Sequence, residues 1–183
     1  MHVIGLGNPG EEYKNTRHNV AWILLDAISS DWTEDKYMNA DVSMVQVSGK
    51  EFIFVKPQTF MNSSGQVIPH LLKNFGATND TMLVVQDDID LPLGTLRLSY
   101  DRGDGGHNGI KSIVTVLGSK QFLRLRVGIS IVGEDGKLHK PNVLGAFSKV
   151  EMKKLEEVKL KFKDLLNVLA KEGKEKAMTE FNK

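Results

Sequence analysis

His18 and Asp87 are two residues of this chain whose types, taken together, could activate a water molecule. His18 stands in Thr16-Arg17-His18-Asn19, at a predicted loop-to-helix junction. A neutral imidazole at such a junction can accept a proton near neutral pH. Asp87 stands in Gln86-Asp87-Asp88-Ile89-Asp90, at the predicted end of the apolar strand Met82 to Gln86. A carboxylate that accepts the Nδ1 proton of a histidine fixes its tautomer and leaves Nε2 as the base. In isolation, His18 reads as a capping or core histidine and Asp87 as a turn residue. His2, His70 and His139 are lone histidines, and His107, inside a glycine loop, fits either a structural or a chemical role.

Three asparagines extend the set. Asn8 follows Gly7, Asn62 precedes a predicted helix, and Asn108 opens another after Gly105-Gly106-His107. Each amide offers a donor and an acceptor without charge. Such groups suit a site that holds a neutral amide or ester and a ribose, and each is equally compatible with a cap or turn. There is no cysteine, and no serine lies in a Gly-x-Ser-x-Gly elbow. The chemistry that remains is water activated by a base, with neutral amides steadying an oxyanion. A metal cluster at the acidic segment is a further reading, but no histidine stands at short ligand spacing.

The run Gly5-Leu6-Gly7-Asn8-Pro9-Gly10 also fits GxGxxG, the fingerprint of an NAD-dependent oxidoreductase. That reading needs a helix opening in the loop and a second strand ending in an acid. Here Glu11 and Glu12 would repel a pyrophosphate, and the next element is a helix through Asp26.

The elements that must carry these residues follow from periodicity and punctuation. His2 to Leu6 reads as a strand leading into the glycine loop. Arg17 to Ser30 has apolar residues at helical spacing. Met44 to Val47 and Phe52 to Val55 form a predicted hairpin, stopped by Pro57. A helix is expected from Asn62 or Ser63 to about Phe75, with Pro69 as a possible kink. Leu96 to Leu98 and Phe122 to Ile129 read as strands, Ile110 to Leu117 as a helix, and Gly133 to Pro141 as a polar loop. Ser148 and Glu151 form a capping box that opens a long helix with Leu155, Val158, Phe162, Leu165 and Leu169 inward. Strands interleaved with helices predict one α/β domain over 1–183, a twisted and mostly parallel sheet flanked by helices.

Composition bounds the function classes. The 183 residues are 40% hydrophobic and 26% charged, ordinary for a globular protein. No apolar run reaches membrane-spanning length, and the N-terminus shows no basic-then-apolar leader, so a cytoplasmic protein is expected. The net charge of +1 is uneven. Residues 1–96 hold 6 Lys/Arg against 12 Asp/Glu, whereas 97–140 hold 8 against 4 and 141–183 hold 10 against 7. The later half could present a basic face to a polyanion, or simply a solvated surface.

Five blocks together resemble the bacterial peptidyl-tRNA hydrolase family. They are GLGNPG with Tyr13 and Thr16–Asn19; Thr59-Phe60-Met61-Asn62 with Ser64-Gly65; Asp87-Asp88-Ile89-Asp90-Leu91-Pro92 with Gly94; Gly105 to Gly109 with Lys111-Ser112-Ile113; and Phe122 with Arg124 to Ile129. The resemblance covers about residues 1–130. It implies an esterase that frees tRNA by cleaving the ester between the peptide and the 3′-terminal ribose. By that likeness His18 is the base and Asp87 its orienting partner. Asn8 and Asn62 hold substrate near the ester, Asn108 positions water or peptide backbone, and Tyr13, Phe60 and Met61 line the pocket. Arg126 and either Lys137 or Lys140 grip tRNA phosphate, a contact that carries no sequence readout. The resemblance also implies a monomer with no cofactor, metal or membrane partner. A non-catalytic RNA-binding module on the same scaffold is the alternative. The chain leaves the family pattern after Ile129, at Ser130-Ile131-Val132-Gly133.

Overall fold

The computed structural model describes residues 1–182. One mixed sheet runs through it. Its centre is four parallel strands, β4 (Lys50–Pro57), β1 (His2–Gly5), β5 (Met82–Pro92) and β7 (Leu123–Val132), side by side in that order. Antiparallel strands close both flanks. β3 (Ala40–Val47) and β2 (Thr33–Asp35) extend from β4, and β6 (Leu96–Tyr100) and β8 (Leu138–His139) pair with β7. The β3–β4 hairpin turns on Ser48 and Gly49, whose φ of 49° and 77° give the left-handed pair that such a two-residue turn requires.

Alternation along the central strands feeds two cores. Val3, Phe52, Phe54, Leu83 and Val85 pack on one face against α1 (Val20–Asp26) and α4 (Lys149–Glu172). Ile4, Ile53, Val55, Met82 and Val84 pack on the other against α2 (Ile68–Asn74) and α3 (Asn108–Leu117). β7 departs from this rule. Leu123, Leu125, Val127 and Ile129 fill the first core, but its second face carries Arg124 and Arg126. That charged face forms a wall of the cleft described below.

Most expected elements form, with four corrections. The predicted helix from Asn62 to Phe75 is two: a 3₁₀ stretch, Met61–Val67, then α2, with Pro69 in its first turn. Proline fits there because those N–H groups lack helical partners. Asn62 therefore lies inside the 3₁₀ stretch and caps nothing. The helix expected from Arg17 to Ser30 is α1 preceded by the single 3₁₀ turn Arg17–Asn19. β5 runs on past Asp87 to Pro92, with a register shift after Asp88. Finally β2, β8 and α5 (Lys174–Phe181) form where no element was expected.

The glycine loop has a packing explanation. Trp22 of α1 lies beneath it and donates its indole N–H to the Gly5 carbonyl at 2.9 Å. A Cβ on Gly7 would lie 2.7 Å from the Trp22 ring. The glycine admits a tryptophan, and the helix that follows does not open in the loop.

Candidate active site

The site forms beyond the carboxyl end of β1, beside Asp87 midway along β5 and Arg124 and Arg126 in the first half of β7. Asp87 is buried and projects from β5. His18 reaches it from the turn before α1, and His107 from the position capping α3. His18 Nδ1 and Asp87 Oδ1 are 2.8 Å apart, and His107 Nε2 and the same Oδ1 are 2.9 Å apart. The two imidazoles lie 5.4 Å apart, centre to centre.

The network assigns the protons. His107 Nδ1 accepts the Ile110 backbone N–H at 3.4 Å, so the ring carries its proton on Nε2 and donates it to Asp87. His18 donates Nδ1–H to the same oxygen, which leaves its Nε2 as a lone-pair nitrogen. Burial opposes the charge on Asp87, but hydrogen bonds from His107 and His18 outweigh it and hold the carboxyl below its ordinary range. An ionised acceptor between two N–H donors is the result.

His18, Asp87, His107, Asn108, Arg124 and Arg126 border one cleft of about 470 Å³, with the loop 102–106 along its side. Asn62 and Asn108 border a second, shallower recess with Lys111 and Ser112. Asn108 is thus common to both. Asn8 lines neither and is buried. Asn19 brackets it, accepting the Asn8 N–H and donating to the Asn8 carbonyl, both at 2.9 Å. The Asn8 Oδ1 accepts the Met61 N–H at 2.8 Å. Only its Nδ2 makes no hydrogen bond among the described residues. Tyr13 and Phe60 meet edge to face with centres 6.3 Å apart, and Met61, next to Phe60 in sequence, is buried. Arg126 is held by Asp88, and Lys140 pairs with Asp90 at 2.7 Å. Lys137 sits exposed in the turn between β7 and β8, away from the cleft lining.

Sequence reasoning left His107 open and passed over Arg17, Asn19 and Asp88. The available signal was positional: His107, like His18, sits at the entry to a helix. Arg17 ties the His18 turn to the chain that opens α4. Its guanidinium donates to both Glu151 oxygens at 2.8 and 2.9 Å and to the carbonyls of Gly145 and Ala146. The His18 N–H donates to the Val143 carbonyl at 2.8 Å. Burial raises the Glu151 carboxyl, but bonds from Ser148 and then Arg17 dominate and lower it. A carboxyl lowered on folding adds stability above its unfolded pKa and loses it as pH falls through the folded value. Glu151→Gln should therefore cost about 1–3 kcal/mol at pH 7. That cost should shrink as pH falls below the ordinary carboxylate range of about 4. Urea unfolding of both proteins from pH 7 to pH 3 checks this; a difference that stays constant with pH counts against it.

His18, Asp87 and His107 each offer a metal donor within 4.8 Å of the others. The nitrogens that face Asp87 carry the protons they donate, so a cation there must displace two protons. The donor set is better matched to hydrogen bonding.

The family model described as peptidyl-tRNA hydrolase matches residues 2–183. A peptidyl-tRNA hydrolase of Thermotoga petrophila is 45% identical over 183 residues, spanning 100% of this chain and 97% of the relative. One of Brevibacillus brevis is 39% identical, spanning 98% and 96%. The crystal structure of peptidyl-tRNA hydrolase from Acinetobacter baumannii superposes with a TM-score of 0.87 at 28% identity, covering 99% of this chain and 93% of that one.

Proposed function

Because this chain belongs to the peptidyl-tRNA hydrolase family, and so hydrolyses peptidyl-tRNA, we propose that His18 is its general base. The observation that carries this reading is the shared Asp87 oxygen. It accepts one N–H from each imidazole and leaves His18 Nε2 as the basic nitrogen of the cluster. Nε2 takes a proton from water as the water oxygen attacks the acyl carbon of the ester. Asp87 steadies the imidazolium that forms, and His107 keeps Asp87 ionised and in place. When the tetrahedral intermediate collapses, the imidazolium returns its proton to the departing 3′-oxygen of the ribose. The products are a peptide carboxylic acid, which ionises to its carboxylate by releasing a proton to solvent, and a tRNA with a free 3′-hydroxyl.

Asn8 in this reading donates Nδ2–H to the carbonyl oxygen as it gains charge. Asn62 and Asn108 hold the two sides of the ester, Asn108 from its place between the two recesses. Tyr13, Phe60 and Met61 flank the terminal ribose and base. Arg126 engages a phosphate of the acceptor arm, with Lys140 beyond it. In this reading the enzyme acts as a monomer in the cytoplasm and its chemistry uses no cofactor. No helix among the described residues is long and apolar enough to cross a membrane.

Asn8→Asp tests the arrangement. The aspartate keeps an oxygen for the Met61 N–H but has no Nδ2 donor, and it sets a negative charge where the oxyanion would form. Turnover of an N-acetyl-aminoacyl-tRNA should fall about 10²–10³-fold, with unchanged circular dichroism and melting within a few degrees. Turnover close to wild type would show that Asn8 only supports Met61.

A further inference from the structure

Asp88 follows the proposed orienting acid and does a different task. The β5–β7 register pairs Gln86 with Arg126 and Asp88 with Gly128, so Asp88 and Arg126 share one face of the sheet. Both Asp88 oxygens are committed. Oδ1 accepts the Asp90 N–H at 2.8 Å, and Oδ2 accepts the Arg126 Nε–H at 2.6 Å. The two side chains are only 10% and 23% exposed. The Lys140–Asp90 pair differs, since both its side chains are more than half exposed and open to screening.

Where Asp88 meets Arg126 matters. A guanidinium gripped at Nε keeps its two Nη groups free, and neither makes a hydrogen bond to the protein among the described residues. Those two groups form a planar fork that matches two oxygens of a phosphate. Arg124 lies two residues back on the same strand face, and its like charge repels that of Arg126. Without a fixed acid, the long Arg126 side chain would swing clear of its neighbour and have to be ordered again on binding.

We propose that Asp88 is a positioning residue for substrate binding, holding Arg126 by Nε so that its free Nη pair meets a tRNA phosphate. This rests on the reading of Arg126 as a phosphate contact. It has a sign that charge counting does not. An acid beside an anion site repels the anion, so its removal should tighten binding; on this proposal its removal weakens binding.

The test is binding of deacylated tRNA over a salt series, with KM for an N-acetyl-aminoacyl-tRNA. Asp88→Ala should weaken binding about three- to tenfold and flatten the log K against log salt slope by up to about one. KM should rise in step, with a smaller change in kcat. Asp88→Asn keeps an acceptor for Nε and should recover most of the affinity; should the alanine variant fold poorly, Asp88→Ser, whose hydroxyl is too short to take the place of the Oδ2 that grips Nε, replaces it. In an Arg126→Ala background, Asp88→Ala should no longer weaken binding, because the bare acid then only repels. Unchanged or tighter binding by Asp88→Ala overturns the proposal, as does an Asp88→Asn variant that binds no better than the alanine. So does a loss that persists without Arg126, which would mark a purely structural acid. If Arg126→Ala alone leaves tRNA binding unchanged, the reading of Arg126 fails and the proposal goes with it.

Discussion

His18→Ala should lose about 10³–10⁴-fold in kcat toward an N-acetyl-aminoacyl-tRNA while still binding tRNA. Removing the ring deletes the nitrogen proposed to take the proton from water. It leaves the other imidazole bonded to the same Asp87 oxygen, turned so that its remaining nitrogen accepts the Ile110 N–H. His107 therefore cannot substitute without breaking its cap. The His18 side chain is 14% exposed and borders the cleft, so truncation opens a hole that solvent can reach. Added imidazole should enter it, donate to Asp87 and restore part of the rate. Turnover within tenfold of wild type would place the base elsewhere. A rate lost but never recovered with imidazole, in a protein that melts well below wild type, would mean the variant is damaged rather than baseless.

How much of this was legible beforehand depends on the kind of contact. The strands and the long helix α4 announce themselves through apolar spacing and through the Ser148–Glu151 capping box, which forms as expected. The juxtaposition of His18 with Asp87 was also legible, because both stand at predicted junctions on one end of a parallel sheet. His107 was only half legible. A histidine after two glycines says that the backbone must bend, but not which partner the ring finds 20 residues back along the chain. Arg17 gave no signal, since its partner Glu151 is 134 residues away and was already assigned a local role in the cap. Pro69 misled through its position: the chain had already left one helical form for another, so nothing was kinked. The alternation of Arg124 and Arg126 with Leu123, Leu125 and Val127 marks a strand but not what its charged face meets. Arg124 is in fact only 4% exposed, on a face that borders the cleft. Periodicity reports which residues share a face and is silent on whether that face meets solvent or a site.

Asp87→Asn should cost about 10²–10⁴-fold in kcat, with little change in KM. Two separate losses combine in it. The first is charge: an amide oxygen in place of Oδ1 could still accept both N–H groups, but it would not stabilise the imidazolium formed in the transition state. The second is orientation. The amide carries two donors of its own, and turning its NH₂ toward the rings sets donor against donor. His18 would then shift its proton to Nε2, the nitrogen proposed to act as base. His107→Asn should cost less, about tenfold, because Asp87 keeps its bond to His18 and loses only one of two donors. The pattern across pairs is the sharper measurement. If Asp87 acts through His18, Asp87→Asn placed on His18→Ala should reduce the rate no further, because residues that work as a unit are not additive. Fully additive losses would instead mean that Asp87 touches the reaction by a route independent of the imidazole. The single oxygen that joins the three side chains would then be an accident of packing rather than the centre of the site.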